Sequence, residues 1–201
     1  MKKALKVALT VLAVALLALA VPVWQYFPGH NFRAVEQGAF YGSRQMSGAA
    51  LSAAMEKYGI RTVVNLRGMN SGSPWYDEEV AVCARAGVSH ADFGWSRGSL
   101  PPPESLSQYV ELLEKAPKPF LAHCEGGTHR TGAAAAVYLL LRGKSPDVAR
   151  GQFGPMFKNA PIGDLVTLYE KSGARSFKEW VATGYPAAFS AWKSARNDAR
   201  Q

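Results

Sequence analysis

Strands and helices alternate along most of this 201-residue chain. That alternation predicts an α/β fold: a mostly parallel central sheet flanked by helices and preceded by an N-terminal hydrophobic helix. Three observations carry the expectation. Short β-branched apolar runs recur, as in Arg61-Thr62-Val63-Val64-Asn65-Leu66. Capped helix-forming stretches separate them, and no interior linker is long enough to split the chain. Residues 1–27 therefore read as a signal peptide or membrane anchor, and 28–201 as one domain.

Hydrophobic residues make up 48% of the chain and aromatics 11%, enough to bury a core, so disordered and collagen-like classes are excluded. The sequence has no internal repeat, which removes solenoids and propellers. Two cysteines build neither a disulfide framework nor a four-thiolate zinc site. The formal charge of +8 suits an anionic substrate or surface. The basic residues form no long run and are not interleaved with aromatics, so a nucleic-acid partner is not expected.

From Val7 to Val23 the only polar side chain is Thr10, a length close to the ~20 residues needed to span a bilayer. Lys2, Lys3 and Lys6 precede it and Trp24 and Tyr26 end it. An uncleaved span would keep its N-terminus in the cytoplasm and its aromatics at the far interface. Cleavage is the competing reading, because Ala18-Leu19-Ala20 is an A-x-A site. Either exports the domain to the periplasmic side of a bacterial-type inner membrane.

Pro28 to Gln37 reads as a linker or lead-in, and Ala39 to Ser43 as a short edge strand. Ser47 caps a helix that Gly59 stops, after which Arg61 to Leu66 is a buried strand. Arg67 to Pro74 is a loop, and Trp75 to Ala86 a helix in which Asp77, Glu78 and Glu79 read as a solvated acidic start. A strand from Val88 to Phe93, a loop from Gly94 to Pro102 and a helix from Pro103 to Lys115 follow. Then come a strand from Pro119 to His123, a helix from Thr131 to Arg142, and short helices leading to a basic tail from Arg196 to Gln201.

The chemistry concentrates in His123-Cys124-Glu125-Gly126-Gly127-Thr128-His129-Arg130-Thr131-Gly132, between an apolar strand and an Ala-rich helix. A loop in that position curls its amides into an anion-binding nest, and Gly126 and Gly127 permit the tight turn. Cys124 at its base would feel the amide dipoles and Arg130, both of which favour the thiolate. Arg130 presents a planar fork to phosphate oxygens, and Thr131 can donate to the sulfur. Such a site performs nucleophilic attack on phosphorus through a cysteinyl-phosphate intermediate. A P-loop nucleotidase would need Gly-Lys-Ser/Thr at the helix start, which this chain lacks. His30, His90, His123 and His129 show no metal-ligand spacing, so neither a metal nor another cofactor is expected.

Cys124-x5-Arg130-Thr131, with a preceding His and a following Gly, resembles the signature loop of the cysteine-based protein tyrosine phosphatases. Together with Asn65-Leu66-Arg67 and Phe40-Tyr41-Gly42-Ser43 it is similar to their atypical dual-specificity branch, over roughly Phe40 to Gly143. The resemblance implies a tyrosine/dual-specificity phosphatase-like fold. Cys124 would be the nucleophile, and Glu125, Gly126, Gly127, Thr128, His129, Arg130 and Thr131 would bind the phosphate. In this branch an Asp on the loop after the preceding strand protonates the leaving group. Asp92 is the candidate, Glu104 a second one, and the absence of an acid from Ser96 to Ser99 departs from the family pattern. Cys83 reads as a small core residue or as a redox partner of Cys124.

The expected function is a phosphoprotein phosphatase acting on phosphotyrosine and in dual-specificity fashion on other phosphoresidues. Its partners would be a phosphorylated protein or a small phosphomonoester, with membrane contact if the anchor persists. Alternatives are an inositol phosphate or phosphoinositide phosphatase, which the acidic Glu125 disfavours, a phosphoresidue-binding pseudophosphatase, and a membrane-structural role centred on the anchor.

Overall fold

The computed structural model describes residues 2–154 and 160–198. Its five strands are β1 (Arg33–Glu36), β2 (Phe40–Arg44), β3 (Thr62–Asn65), β4 (Ser89–Asp92) and β5 (Phe120–Cys124), in the spatial order β1-β2-β5-β3-β4. All neighbours run parallel except β1, which pairs antiparallel with β2. The expected mostly parallel sheet is present, and the strand that delivers Cys124 is its centre.

Burial explains that position. Every residue of β5 is buried, as is every residue of β3, the continuous apolar pattern of strands covered on both faces. Phe120, Ala122 and Cys124 join the larger core, whereas Leu121 joins a smaller one with Tyr41, Val63 and Cys83. Helices α2 (Gly48–Tyr58) and α3 (Pro74–Ala86) cover the smaller core. Helices α4 (Pro103–Lys115) and α5 (His129–Leu141) lie over the larger one, with α6 (Pro146–Arg150), α7 (Asp164–Ser172), α8 (Phe177–Thr183) and α9 (Tyr185–Asp198) behind them.

Local chemistry sets the helix bounds. The Ser47 side chain accepts from the Ala50 amide, and Gly59 and Gly87 end α2 and α3 in the left-handed conformation. Ala133 to Ala136 of α5 are fully buried. Small side chains on every face let this helix lie close to β2 and β5 while α6 packs outside it.

Two expectations need correction. The Pro28–Gln37 lead-in contains β1, whose Arg-Ala-Val-Glu sequence places its two apolar residues side by side and shows no strand alternation. It exists because β2 otherwise presents an unpaired edge. The helix after the loop begins at His129, not Thr131. The short helices expected beyond Gly143 include α6 to α9, and α9 carries the start of the basic tail as helix through Asp198. Residues 155–159 and 199–201 lie outside the described residues.

The apolar N-terminal segment forms one helix, α1 (Lys2–Tyr26), long and apolar enough to cross a membrane and without a buried residue. It is fastened to the domain at its end. The amides of Gly29 and Asn31 donate to the Trp24 and Gln25 carbonyls, and the Arg44 amide donates to the His30 carbonyl. The Arg44 guanidinium lies 5.1 Å from the Tyr26 ring centroid.

Candidate active site

The loop from Cys124 to Arg130 leaves the C-terminal end of β5 and enters the first turn of α5, so the free amides of a helix N-terminus face it. Cys124 is 3% exposed and its Sγ accepts from the Gly127 amide at 3.2 Å. Burial alone would raise the thiol pKa. It is outweighed by the polar groups of Thr131, whose hydroxyl donates to the Ser43 carbonyl at 3.3 Å, by the Arg130 charge and by the Gly127 amide, and the pKa is lowered. A buried sulfur poised toward thiolate is a nucleophile.

Gly127 is obligatory in this loop. Its φ is +71°, and a Cβ there would stand 2.5 Å from the Arg44 nitrogen and 2.6 Å from the Ser43 carbonyl carbon. Gly126 differs from expectation: it has no positive φ. A Cβ on it would meet the Tyr26 hydroxyl oxygen at 3.2 Å, so the end of α1 stands against the loop.

The loop is braced by residues of the lead-in. Asn31 Nδ2 donates to the Gly126 carbonyl at 3.0 Å and Arg33 to the Gly127 carbonyl at 2.8 Å. Burial lowers the Arg33 pKa, while the charge of nearby Cys124 acts in the opposite sense. Arg130 donates to the Leu66 carbonyl at 3.5 Å. Burial, Arg97 and Arg130, in that order, lower the His129 pKa. Glu125 points to solvent.

Beneath the loop lies a polar cluster in which Glu79 corrects the sequence reading. It was expected on a solvated helix start, yet it is 3% exposed. One carboxylate oxygen lies 2.8 Å from His90 Nε2 and 3.1 Å from His123 Nε2, and the other accepts from Gln45 at 2.6 Å. Burial would raise its pKa, but the bonds from His123, His90 and Gln45 hold it at about 2. The carboxylate thus ties α3 to β4, β5 and the chain following β2.

Asp92 ends β4 at the level of His123, since Asn65 registers with both. Two strand spacings of ~4.8 Å put their backbones roughly 10 Å apart. Its carboxylate accepts from Asn65 Nδ2 at 2.7 Å and from the Tyr76 hydroxyl of α3 at 2.6 Å. Asp92 is therefore held toward α3, and to donate a proton it must be protonated and release one of these bonds. Glu104 is exposed in the first turn of α4, where Gln108 of the same helix donates to it. The Gly94–Pro102 loop presents Arg97 and is fixed by Trp95, which donates to Ser105 at 2.9 Å, and by the Tyr185 hydroxyl, which donates to the Pro101 carbonyl at 2.6 Å.

Cys83 is not placed to pair with Cys124. It packs in the α2–α3 core, Cys124 in the core on the opposite face of the sheet, and both are free. Burial, then Glu79, push the Cys83 thiol up to about 12. Among the described residues no cluster of His, Cys, Asp and Glu is arranged to hold a metal.

The fold is shared with solved phosphatase structures. The core catalytic domain of the PP-IP phosphatase SIW14 from S. cerevisiae superposes with a TM-score of 0.56 at 24% identity, over 69% of this chain and 85% of that one. P. aeruginosa TpbA gives 0.54 at 20% identity, over 81% and 92%. A DUF442 phosphatase from Shewanella putrefaciens gives 0.54 at 17%, over 70% and 91%. At such identities the likeness is one of fold. No curated protein sequence matches the chain. The profile of a family described as "Polymorphic toxin system, DSP-PTPase phosphatase" matches residues 42–144, a span running from β2 through the Cys124 loop and α5. The chain belongs to that DSP-PTPase phosphatase family, within the cysteine-based tyrosine phosphatase superfamily.

Proposed function

We propose that the chain is a cysteine-dependent phosphomonoester hydrolase. The Cys124 thiolate attacks phosphorus, forming the S–P bond as the bond to the leaving oxygen breaks. Arg130 and the amides from Glu125 to Thr131 hold the non-bridging oxygens, and Asp92 protonates the leaving oxygen. Water then gives a proton to the Asp92 carboxylate and attacks phosphorus, the S–P bond breaks, and inorganic phosphate departs as the thiolate and the protonated Asp92 are restored. The supporting observation is the buried Cys124 sulfur, favoured as thiolate by Thr131, Arg130 and the Gly127 amide.

The substrate is a single phosphomonoester. The negative Glu125 disfavours crowded phosphates, which leaves phosphotyrosine or another phosphoresidue of a protein, or a monoester on an amphiphile. TpbA was crystallised with pTyr, and SIW14 is a PP-IP phosphatase.

Hydrolysis of p-nitrophenyl phosphate by the full chain in detergent, with chelator and reductant, tests the reading. Turnover lost in Cys124→Ser, with phosphate-analogue binding retained, is the expected result. A parent that binds the analogue without turnover would make the domain a phosphoresidue-binding module.

A further inference from the structure

Two consecutive peptides of the Cys124 loop are held by their outer edges. Asn31 Nδ2 donates to the Gly126 carbonyl at 3.0 Å, and an Arg33 guanidinium nitrogen donates to the Gly127 carbonyl at 2.8 Å. Both peptides are trans, so each carries its N–H on the side opposite its C=O. In the first of them the inner side is marked by the sulfur. Its N–H is that of Gly127, which donates to Cys124 Sγ at 3.2 Å. The second peptide carries the Thr128 N–H, turned away from Arg33 in the same manner and into the amide nest.

The surrounding chain makes room for these two contacts. His30 and Asn31 have positive φ values of 54° and 46°, an uncommon backbone for residues other than glycine. The Arg44 amide fastens that turn by donating to the His30 carbonyl at 2.9 Å. Arg33 of β1 registers with Gly42 of β2. A Cβ at Gly42 would stand 3.5 Å from the Arg33 guanidinium carbon and 2.9 Å from the Thr131 methyl. The missing side chain at 42 thus leaves the path by which Arg33 crosses β2 to the loop. The same guanidinium donates to the Gln152 carbonyl at 3.4 Å. Burial works against its charge, and the charge of Cys124 favours it.

We infer that Asn31 and Arg33 are positioning residues for phosphoryl transfer: by holding the Gly126 and Gly127 carbonyls outward, they aim the Gly127 and Thr128 amides inward at the sulfur and the phosphate oxygens. The inference rests on the phosphatase reading above. Both side chains act from the carbonyl side of the loop, through the peptides and not on the substrate. Arg33 adds polarisation to aim, because a charged donor on a carbonyl strengthens the N–H of the same peptide as a donor. Amides fixed before the substrate arrives need no reorganisation when the transition state forms. A loop with two glycines in sequence has little stiffness of its own, so the aim must come from outside it.

The test uses the full chain in detergent. Arg33→Met lowers kcat/KM for p-nitrophenyl phosphate about 30-fold, the loss expected of one hydrogen bond from a charged donor. It also weakens binding of tungstate, a phosphate analogue, read by titration calorimetry. Arg33→Lys still offers one charged donor and recovers about tenfold of the lost kcat/KM. Asn31→Gly keeps the left-handed turn and removes the donor. It moves the pH midpoint of Cys124 alkylation by iodoacetamide upward, although Thr131, Arg130 and Arg33 still act on the sulfur. Variants that melt lower, yet keep the parental tungstate affinity and alkylation midpoint, would make both residues structural and overturn the inference, leaving the hydrolase intact. An Arg33→Met variant as active as the parent would do the same. A parent without turnover would overturn the hydrolase reading alone, and tungstate affinity unmoved by Arg33→Met would then overturn the inference separately.

Discussion

Glu79→Gln tests whether the buried carboxylate beneath the loop holds the site together. The substitution keeps shape and removes charge. One amide oxygen can still accept from the two histidines, but the new NH2 group then faces the Gln45 Nε2 donor that had been 2.6 Å from a carboxylate oxygen. Lowering a carboxyl pKa from 4.5 to about 2 in the folded state contributes about 3 kcal/mol of stability at neutral pH, at ~1.4 kcal/mol per tenfold. Because the folded value is depressed, that contribution is complete above about 4.5. It falls as pH drops toward about 2, leaving about half of it at pH 3. For a domain of this size 1 kcal/mol moves the melting temperature by ~2–4 °C. Thermal melts of the full chain in detergent should show the variant about 10 °C lower at pH 7 and about half as far below at pH 3. A drop under about 2 °C, or a gap equal at both pH values, would refute the assignment of Glu79 as a charged hub.

The remaining predictions concern the loop and the proton donor. Gly127→Ala, strained at φ +71° and clashing with Ser43 and Arg44, should lower kcat/KM by at least about 100-fold, as the few kcal/mol of such strain implies. A fully active, normally folded variant would show that the loop takes another path. Alkylation of Cys124 by iodoacetamide should titrate below an ordinary thiol, and Thr131→Val should move its midpoint upward. An unmoved midpoint would remove Thr131 from sulfur activation. Asp92→Asn should slow phosphotyrosine hydrolysis by about 100-fold or more while sparing p-nitrophenyl phosphate, whose leaving group needs little protonation. Equal effects on the two substrates would leave the leaving oxygen to be protonated without a side-chain acid.

The parts legible in the sequence were those fixed by neighbours in the chain. Strands β3 and β5 announce themselves as apolar runs, α4 occupies Pro103–Lys115 as expected, and Cys124 and Arg130 share one short loop whose glycine is confirmed by its backbone angle. Glu79 and the contact of Arg33, which lies in the segment read as a lead-in, are not legible for the opposite reason. An acidic residue near a helix start is ordinarily solvated, and nothing local to α3 shows that His90 and His123 will be brought over it by β4 and β5. Arg33 sits in a stretch without strand alternation. Its contact with Gly127, across most of the domain in sequence, exists only once β1 has joined β2. Gly126 was given a backbone role, whereas its crowding comes from Tyr26 at the end of α1.

The placement of the two thiols on opposite faces of the sheet bears on oxidative damage. A thiolate-prone Cys124 is the side chain most readily converted to a sulfenic acid, and this chain contains no second cysteine within reach to capture it as an internal disulfide. Recovery therefore depends on a small-molecule thiol entering the loop or on capture of the sulfenic acid by a backbone nitrogen; where neither occurs, oxidation runs on to the sulfinic acid and inactivation becomes permanent.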